Sequence, residues 1–354
     1  MKEETGKILH GKSLFDARER QLNTLTEYYK NRPQHPLCLH GISIFRAITP
    51  KQLTGELIDS LFDELASRAA ESADEAILRP LAIEVQLYGV HFIDKLCGAQ
   101  IHYNDEQNLW WSEGLTTPIG ALSFPDLEQS TLWQACTRLY GELLARDIRL
   151  PFLATQILGS PTVGIFNLYK ENILYGFYDN PGGVKRDLRV LTDLLLLLHK
   201  WFLEKIPQEQ FQPVCVDGRL QPRGCGQMCG CTTQLISNEL YEEFIFPLDK
   251  EIFALYENGG LYHLCGAHTQ HIKTWRSWDD LKAVQLNDRA ADDFEAYFTG
   301  LRDDQLIYLN PSEAMPIEKA LSISGGRRTI IVSDKDSLQK ATGCGCGCCG
   351  GHKA

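Results

Sequence analysis

The chain has 354 residues, of which 44% are hydrophobic and 23% charged, a composition that suits a large folded core and excludes disorder as the main state. Thirty-five Lys and Arg against 46 Asp and Glu leave a formal net charge of -11, so neither nucleic acid nor an anionic membrane surface is an expected partner. The greasiest run, Leu194 to Leu198 with Trp201 and Phe202 beyond, is broken by Asp193, His199 and Lys200 and falls short of the roughly 20 apolar residues of a membrane span. Met1 to Lys12 shows no apolar segment behind a basic start, which makes a reducing, cytoplasmic location the default expectation.

Residues 1–36 read as a helical lead-in, with Leu14, Leu22, Leu25 and Tyr29 among charges and Pro33 and Pro36 as its end. A strand is expected over Leu37 to Phe45 and a helix from about Pro50 to Ala70, where Leu53, Leu57, Ile58, Leu61, Phe62 and Leu65 form one stripe. A second helix is expected over Arg79 to Leu96. From residue 149 the pattern alternates: strand Leu150 to Leu158, helix Val163 to Tyr175, long helix Val184 to Lys205, strand Pro213 to Val216, helix Glu239 to Tyr256. It continues with strands Leu261 to Leu264 and Ala283 to Leu286, helix Asp292 to Leu301, strand Gln305 to Leu309, helix Ile317 to Leu321 and strand Thr329 to Val332. Strands separated by helices imply parallel pairing, and this length suits an α/β fold of the (β/α)8 TIM-barrel type over 37–336. An open doubly wound sheet is the alternative, weakened by the lack of a Gly-x-Gly-x-x-Gly fingerprint. Residues 337–354 read as a flexible Gly/Cys-rich tail.

The 12 cysteines fall into classes. Cys38, Cys97, Cys136 and Cys215 sit among apolar neighbours and read as core packing. In a strand, residues two apart face the same side, so His263 and Cys265 of Gly259 to Gly266 converge as half a metal site, or are a buried pair by accident. Cys225, Cys229 and Cys231 occupy what reads as a βα loop on the same barrel face; spacing leaves open which of them supplies a third ligand. Cys344, Cys346, Cys348 and Cys349, alternating with glycine and followed by His352, suit a second soft metal such as Zn(II) or Cu(I). His268 and His271 share a helical face nearby, with core packing as the commoner role. Asp217 and the pair Asn287-Asp288 end barrel strands, where catalytic groups sit; a turn residue for Asp217 and a helix cap for Asp288 are the competing readings. Gly325-Gly326-Arg327-Arg328 reads as a solvated turn, with anion binding as its less frequent alternative.

Several segments together resemble the uroporphyrinogen decarboxylase superfamily in its cobalamin-dependent methyltransferase branch. Leu235-Ile236-Ser237, then Glu239-Leu240-Tyr241-Glu242-Glu243-Phe244 and Pro247-Leu248, is similar to that family's Ser-Pro-Glu-x-Tyr-x-Glu-Phe-x-x-Pro helix start, with Asn238 in place of the proline. Gly259 to Gly266 is similar to its His-x-Cys-Gly strand, and Pro151 to Gly159 with Tyr178-Asp179-Asn180-Pro181 to its Asp-x-Pro turn before a long helix. The resemblance implies a (β/α)8 barrel and a zinc ion held by His263, Cys265 and one more cysteine. It also implies a small thiol that takes its methyl group from cobalamin on a corrinoid-binding partner. Relatives place the third cysteine near the last strand; here Ile323 to Arg328 has none, so Cys225, Cys229, Cys231 or the tail must stand in. The alternative is a repurposed barrel that binds or delivers a soft metal through its cysteine clusters. Porphyrinogen decarboxylation is not expected, because Leu39 to Ile48 carries only Arg46 for four propionates.

Overall fold

Short runs buried on both faces are what parallel sheets covered by helices require, and the chain supplies them repeatedly. The computed structural model describes residues 1–40, 43–69, 77–107, 109–333 and 337. Its strands are β1 (Leu37–Leu39), β2 (Ile44–Ile48), β3 (Ala82–Leu87), β4 (Ile101–Asn104), β5 (Leu109–Ser112), β6 (Phe152–Ala154), β7 (Phe211–Gln212), β8 (Gly226–Cys229), β9 (Gly260–Leu264), β10 (Leu281–Leu286), β11 (Leu306–Leu309) and β12 (Thr329–Val332). A six-stranded sheet runs in the order β1-β12-β11-β10-β9-β8 and a four-stranded sheet in the order β2-β3-β6-β7, and every pairing in both is parallel. The protein is thus a mixed α/β structure dominated by parallel strands. No continuous ladder joins the two sheets, so the closed barrel expected from the sequence is not established as such. Single bridges occur where the sheets meet: Leu39, ending β1, to Leu78 just ahead of β3, and Cys229, ending β8, to Gly159 beyond β6.

The lead-in is part of the core. Leu22, Leu25 and Tyr28 of the helix Lys12–Asn31 are buried in one cluster with Leu37, Phe152, Leu261, Leu306, Tyr308 and Ile330 of the strands. Tyr28 donates to the Thr329 carbonyl at 2.9 Å, and Arg18 donates to the Leu150 carbonyl at 2.7 Å. No helix among the described residues is long and apolar enough to cross a membrane; the greasy run lies in the helix Pro181–Lys205, which buries Leu188, Leu191, Leu194, Leu195 and Leu198.

Three local expectations are corrected. Residues 79–96 are not one helix: all six residues of β3 are buried, and helix begins only after it, as the 3-10 turn Gly89–His91 and the short α-helix Phe92–Leu96. Glu84 and Gln86 imitate the polar face of a helix, but their side chains bond inside the protein, Glu84 to the backbone N–H of Val216 at 2.7 Å and Gln86 to the Thr155 carbonyl at 2.8 Å. The strand expected at Pro213 to Val216 lies earlier, as β7, and Val216–Gly218 is a helical turn. Residues 225–231 are not a plain loop either, since they contain β8. Their glycines allow close packing rather than flexibility, because a Cβ at Gly226 would collide with Tyr256 and one at Gly230 with Tyr262. The antiparallel hairpin β4–β5 and the helix Thr131–Leu144 carried no assignment from the sequence.

Candidate metal centre

Register places the site. Cys229 of β8 is directly opposite His263 of β9, and His263 is opposite Gln285 of β10, so three neighbouring strands present one row of polar side chains from the same face. Beyond Cys229 the chain turns through Gly230 into the short helical turn Cys231–Leu235, which brings Cys231 back over β8. Cys265 directly follows β9. The ligand atoms of Cys229, Cys231 and His263 all lie within 4.8 Å of one another. The Cys265 Sγ lies 2.9 Å from His263 Nε2, and the Cys229 and Cys231 sulfurs are 4.0 Å apart. One imidazole and two thiols therefore converge at the carboxyl ends of β8 and β9, with the Cys265 thiol against the imidazole. His263 is buried while the three cysteines are half-buried, so the sulfurs form the approachable side.

The surroundings orient the imidazole. Gln285 Nε2 donates to the Asp217 carbonyl at 2.6 Å and to Asn310 Oδ1 at 2.8 Å, which turns Gln285 Oε1 toward the site as an acceptor. His263 Nδ1–H donates to that oxygen at 2.7 Å, leaving Nε2 facing the sulfurs, the arrangement that presents an imidazole lone pair to a metal. The buried Arg219 donates through Nε to the same Gln285 oxygen at 2.9 Å. Its Nη2 lies 3.1 Å from His263 Nε2 and 3.1 Å from Asp217 Oδ2, and its Nη1 is 4.0 Å from Cys229 Sγ. Asn287 Nδ2 donates to Cys265 Sγ at 3.8 Å.

The electrostatics of the metal-free cluster follow from these contacts. The hydrogen bond from Cys231, joined by His263 and Arg219, holds the Cys229 thiol well below its usual range against the opposing effect of burial. Cys265 is lowered to about 5, first by the hydrogen bond from Cys231 and then by His263, whereas Cys231, the donor to both, is raised. Burial and the Arg219 cation push His263 down, but the Cys229 and Cys265 sulfurs outweigh them and hold it up at about 9. Two thiolates thus share one space with protons on Cys231 and His263. A soft dication fits that space: exchanging the two protons for it sets three thiolates against a dication and Arg219, with the Asp217 carboxylate on the outer side of that guanidinium. Three sulfurs and one imidazole suit zinc or another thiophilic ion.

Not every residue singled out from the sequence joins the cluster. Cys225 is buried before β8 with its thiol 3.6 Å from the Asn258 carbonyl, and burial pushes it up to about 12. His268 Nδ1 lies 2.9 Å from Thr233 Oγ1, and His271 Nε2 lies 2.9 Å from the Thr233 carbonyl, so both brace the turn that carries Cys231. Asp217 touches Arg219, and Asp288 is exposed on the residue after Asn287. Both aspartates have left-handed backbones, φ 56° and φ 47°, and Asp288 makes no capping bond to the helix that follows. Arg328 is structural, donating to the Gln305 carbonyl at 3.3 Å. Cys344, Cys346, Cys348, Cys349 and His352 lie outside the described residues. Sequence reasoning reached Asn287 as the strand-end neighbour of Asp288 but missed Arg219 and Gln285; the available signal was a glutamine in the buried strand Leu281–Leu286, beside His263.

No protein-family model and no curated protein matches the sequence. Among solved structures the chain is similar to a methyltransferase from Methanosarcina mazei, with a TM-score of 0.61 at 9% sequence identity, over 93% of this chain and 97% of that one. At that identity the likeness is one of fold: this chain has a methyltransferase-like fold.

Proposed function

We propose that the protein is a zinc-dependent methyltransferase moving a methyl group between a corrinoid and a small thiol, on a (β/α)8 barrel with two broken strands. Taking β1 with β2, and β7 with β8, as interrupted strands gives eight strands in sequence order, and the bridges Leu39 to Leu78 and Gly159 to Cys229 fall at the two breaks. The observation that carries the functional reading is the convergence of Cys229, Cys231, His263 and Cys265 at the carboxyl ends of adjacent strands, where barrel enzymes hold their reacting groups. The likeness in fold to a methyltransferase agrees with it.

Zinc in this site supplies a positive centre that keeps an incoming thiol deprotonated near neutral pH. The chain's own residues hold the arrangement. Gln285 keeps the His263 Nδ1–H occupied, Arg219 offsets the surplus negative charge of three thiolates, and Asp217 anchors Arg219. Asp288, the residue after Asn287, stands exposed beyond the end of β10. The methylated corrinoid, presented by a corrinoid-binding protein, is the co-substrate. Zinc-loaded protein given methylcobalamin and a small thiol should bleach the methylcobalamin spectrum, and His263→Ala should abolish the change. No spectral change with any of several thiols, in protein that carries its zinc, refutes the reading.

One observation favours a second reading: Cys265, against His263, brings the donors beside the Cys229, Cys231 and His263 group to four, the number that structural and carrier sites use. In that case the barrel holds or hands over a soft metal, and the cysteines of the tail provide a second site. Removing residues 342–354 should strip a carrier of most of its metal capacity, whereas a catalyst should keep one ion in the barrel.

A further inference from the structure

Cys229, a donor of the metal centre, ends β8 at the edge of the six-stranded sheet. Among the described residues, the backbone beyond that edge carries an isolated bridge to Gly159 and a bond from the Ser160 N–H to the Cys229 carbonyl at 2.8 Å. A seam with so short a ladder leaves the place of a ligand to be set by side chains. Asp249, on the helix Phe246–Phe253, lies behind this seam and is completely buried. Its Oδ1 accepts from Ser160 Oγ at 2.7 Å, and its Oδ2 accepts from the hydroxyls of Tyr262 at 2.8 Å and Tyr241 at 3.0 Å. Ser160 follows β6 of the four-stranded sheet, whereas Tyr262 belongs to β9 of the six-stranded one. One carboxylate therefore fastens both sheets where they meet at Cys229.

We infer that Asp249 is a positioning residue of the metal centre: through Ser160 and Tyr262 it fixes Cys229, and the turn that begins with Cys231, against His263, while bonding to none of the donors itself. The inference rests on the metal centre of the proposed function and holds whether the ion serves methyl transfer or carriage. Each arm ends beside a donor. On one side the Ser160 N–H holds the Cys229 carbonyl. Ser160 Oγ also accepts from the Thr162 N–H at 3.3 Å, and Thr162 meets Thr232, the residue after Cys231, hydroxyl to hydroxyl at 2.7 Å. On the other side Tyr262 precedes His263 in β9, and successive side chains of a strand point to opposite faces, so its ring backs the sheet while the imidazole faces the sulfurs. That ring also fills the space over Gly230, between Cys229 and Cys231, where a Cβ would collide with it. The chemistry of Asp249 agrees with this role. A buried carboxyl among three neutral hydroxyls costs stability that an apolar side chain of the same size does not, and burial pushes it up to about 7 against the pull of those hydroxyls. What a carboxylate adds is acceptor capacity, since its two oxygens take hydrogen bonds from three separate elements at once.

The test uses the full chain with Co(II) as the probe ion. Competition against a chromophoric chelator reads affinity, the cobalt d–d and thiolate charge-transfer bands read ligand geometry, and a melting curve of the metal-free protein reads the fold. Asp249→Ala should bind Co(II) about tenfold more weakly and with altered bands, the lower end of what a partner outside the ligands is worth. Ser160→Ala and Tyr262→Phe each cut one arm and should fall between wild type and Asp249→Ala. Asp249→Asn keeps an acceptor for Ser160 and offers its amide to the tyrosine oxygens, so it should restore the wild-type bands and an affinity within about twofold of wild type. Two controls separate positioning from loss of stability. Tyr241→Phe removes the hydroxyl that leads to Trp275 rather than to a donor, and Leu61→Ala opens a cavity in the helix Gly55–Arg68, which packs on β2 and β3. Both should lower Tm and leave affinity and bands at wild-type values. Wild-type affinity and bands in Asp249→Ala, or equal weakening by either control, overturns the inference and leaves the metal centre standing. If Asp249→Ala does not fold, Ser160→Ala and Tyr262→Phe decide, and unchanged affinity and bands in both overturn it. If wild-type protein given Co(II) shows no thiolate charge-transfer band, the metal centre falls, and this inference with it.

Discussion

Gln285→Leu is the sharpest probe of how the metal centre is built, because it removes the orienting group and leaves all four donor side chains in place. Gln285 accepts from His263 Nδ1 at 2.7 Å and from Arg219 Nε at 2.9 Å, and donates to the Asp217 carbonyl and Asn310 Oδ1. Leucine of similar volume ends all four contacts. Loss of the partner that fixes a ligating imidazole costs about 10- to 100-fold in metal affinity, or about 1.4 to 2.7 kcal/mol. The stranded Arg219 Nε and His263 Nδ1 add about 1–3 kcal/mol each against folding, so Tm should fall as well. Gln285→Glu separates the two effects, since its carboxylate still accepts from both His263 and Arg219; its metal affinity should stay within about threefold of wild type. Competition against a chromophoric chelator measures the affinity, and a melting curve of the metal-free protein measures the fold. If Gln285→Leu holds zinc as tightly as wild type while Cys229→Ser loses it, the hydrogen bond to Nδ1 does not orient His263 and the argument fails.

The other predictions concern the sulfurs. Cys229→Ser and Cys265→Ser should empty the site by metal analysis, whereas Cys225→Ser should keep its ion, because that thiol faces the Asn258 carbonyl; loss of zinc in Cys225→Ser would contradict the arrangement. In metal-free protein Cys265 should be alkylated by iodoacetamide at a rate that rises as pH increases through about 5, since the thiolate is the reacting form. Cys225, held up at about 12, should stay unmodified through neutral pH, and peptide mapping distinguishes the two. Zinc affinity should increase with pH toward about 9, where His263 releases its proton, and bound zinc should protect Cys265. A chain ending at Ala341 should keep its ion, since Cys229, Cys231, His263 and Cys265 all precede that point; loss of the ion would make the tail a ligand. Cys231→Ser should bind zinc more weakly than wild type yet retain more of it than Cys229→Ser.

The legible parts of the sequence were those in which a local pattern and a tertiary role agree. The short, mostly apolar segments Thr329–Val332 and Ala283–Leu286 were read as strands, and both lie in buried parallel strands. His263 and Cys265 were legible because the two-residue period of a strand fixes their common side. Residues 79–96 misled because inward-facing Glu84 and Gln86 give a buried strand the polar spacing of an amphipathic helix. Residues 225–231 misled for the opposite reason: glycine suggests a loop, whereas Gly226 and Gly230 serve to admit the rings of Tyr256 and Tyr262. Which cysteine joins His263 depends on the register of β8 against β9, a relation between strands that spacing along the chain does not contain. Arg219 was illegible for the same cause, as its partners Gln285 and His263 come from two other strands.

A four-donor site and a catalyst are compatible if one donor is held less firmly than the rest. Cys229 and His263 stand opposite each other on paired strands, and Cys265 directly follows β9, with Asn287 on its sulfur. Moving any of these requires moving a strand in a packed core. Cys231 is placed differently, at the start of the turn Cys231–Leu235, after the strand pairing has ended. That turn is secured through Thr233 by His268 and His271, two residues away from the thiol itself. Cys231 is also the sulfur that keeps its proton in the metal-free cluster, so it is the easiest of the three to return to the neutral form. With zinc bound, Cys229, His263 and Cys265 would hold the ion, and Cys231 would be the residue placed to yield to an incoming thiol and to take up its proton. A thiol-activating enzyme requires one exchangeable position, and Cys231 is the donor placed to supply it.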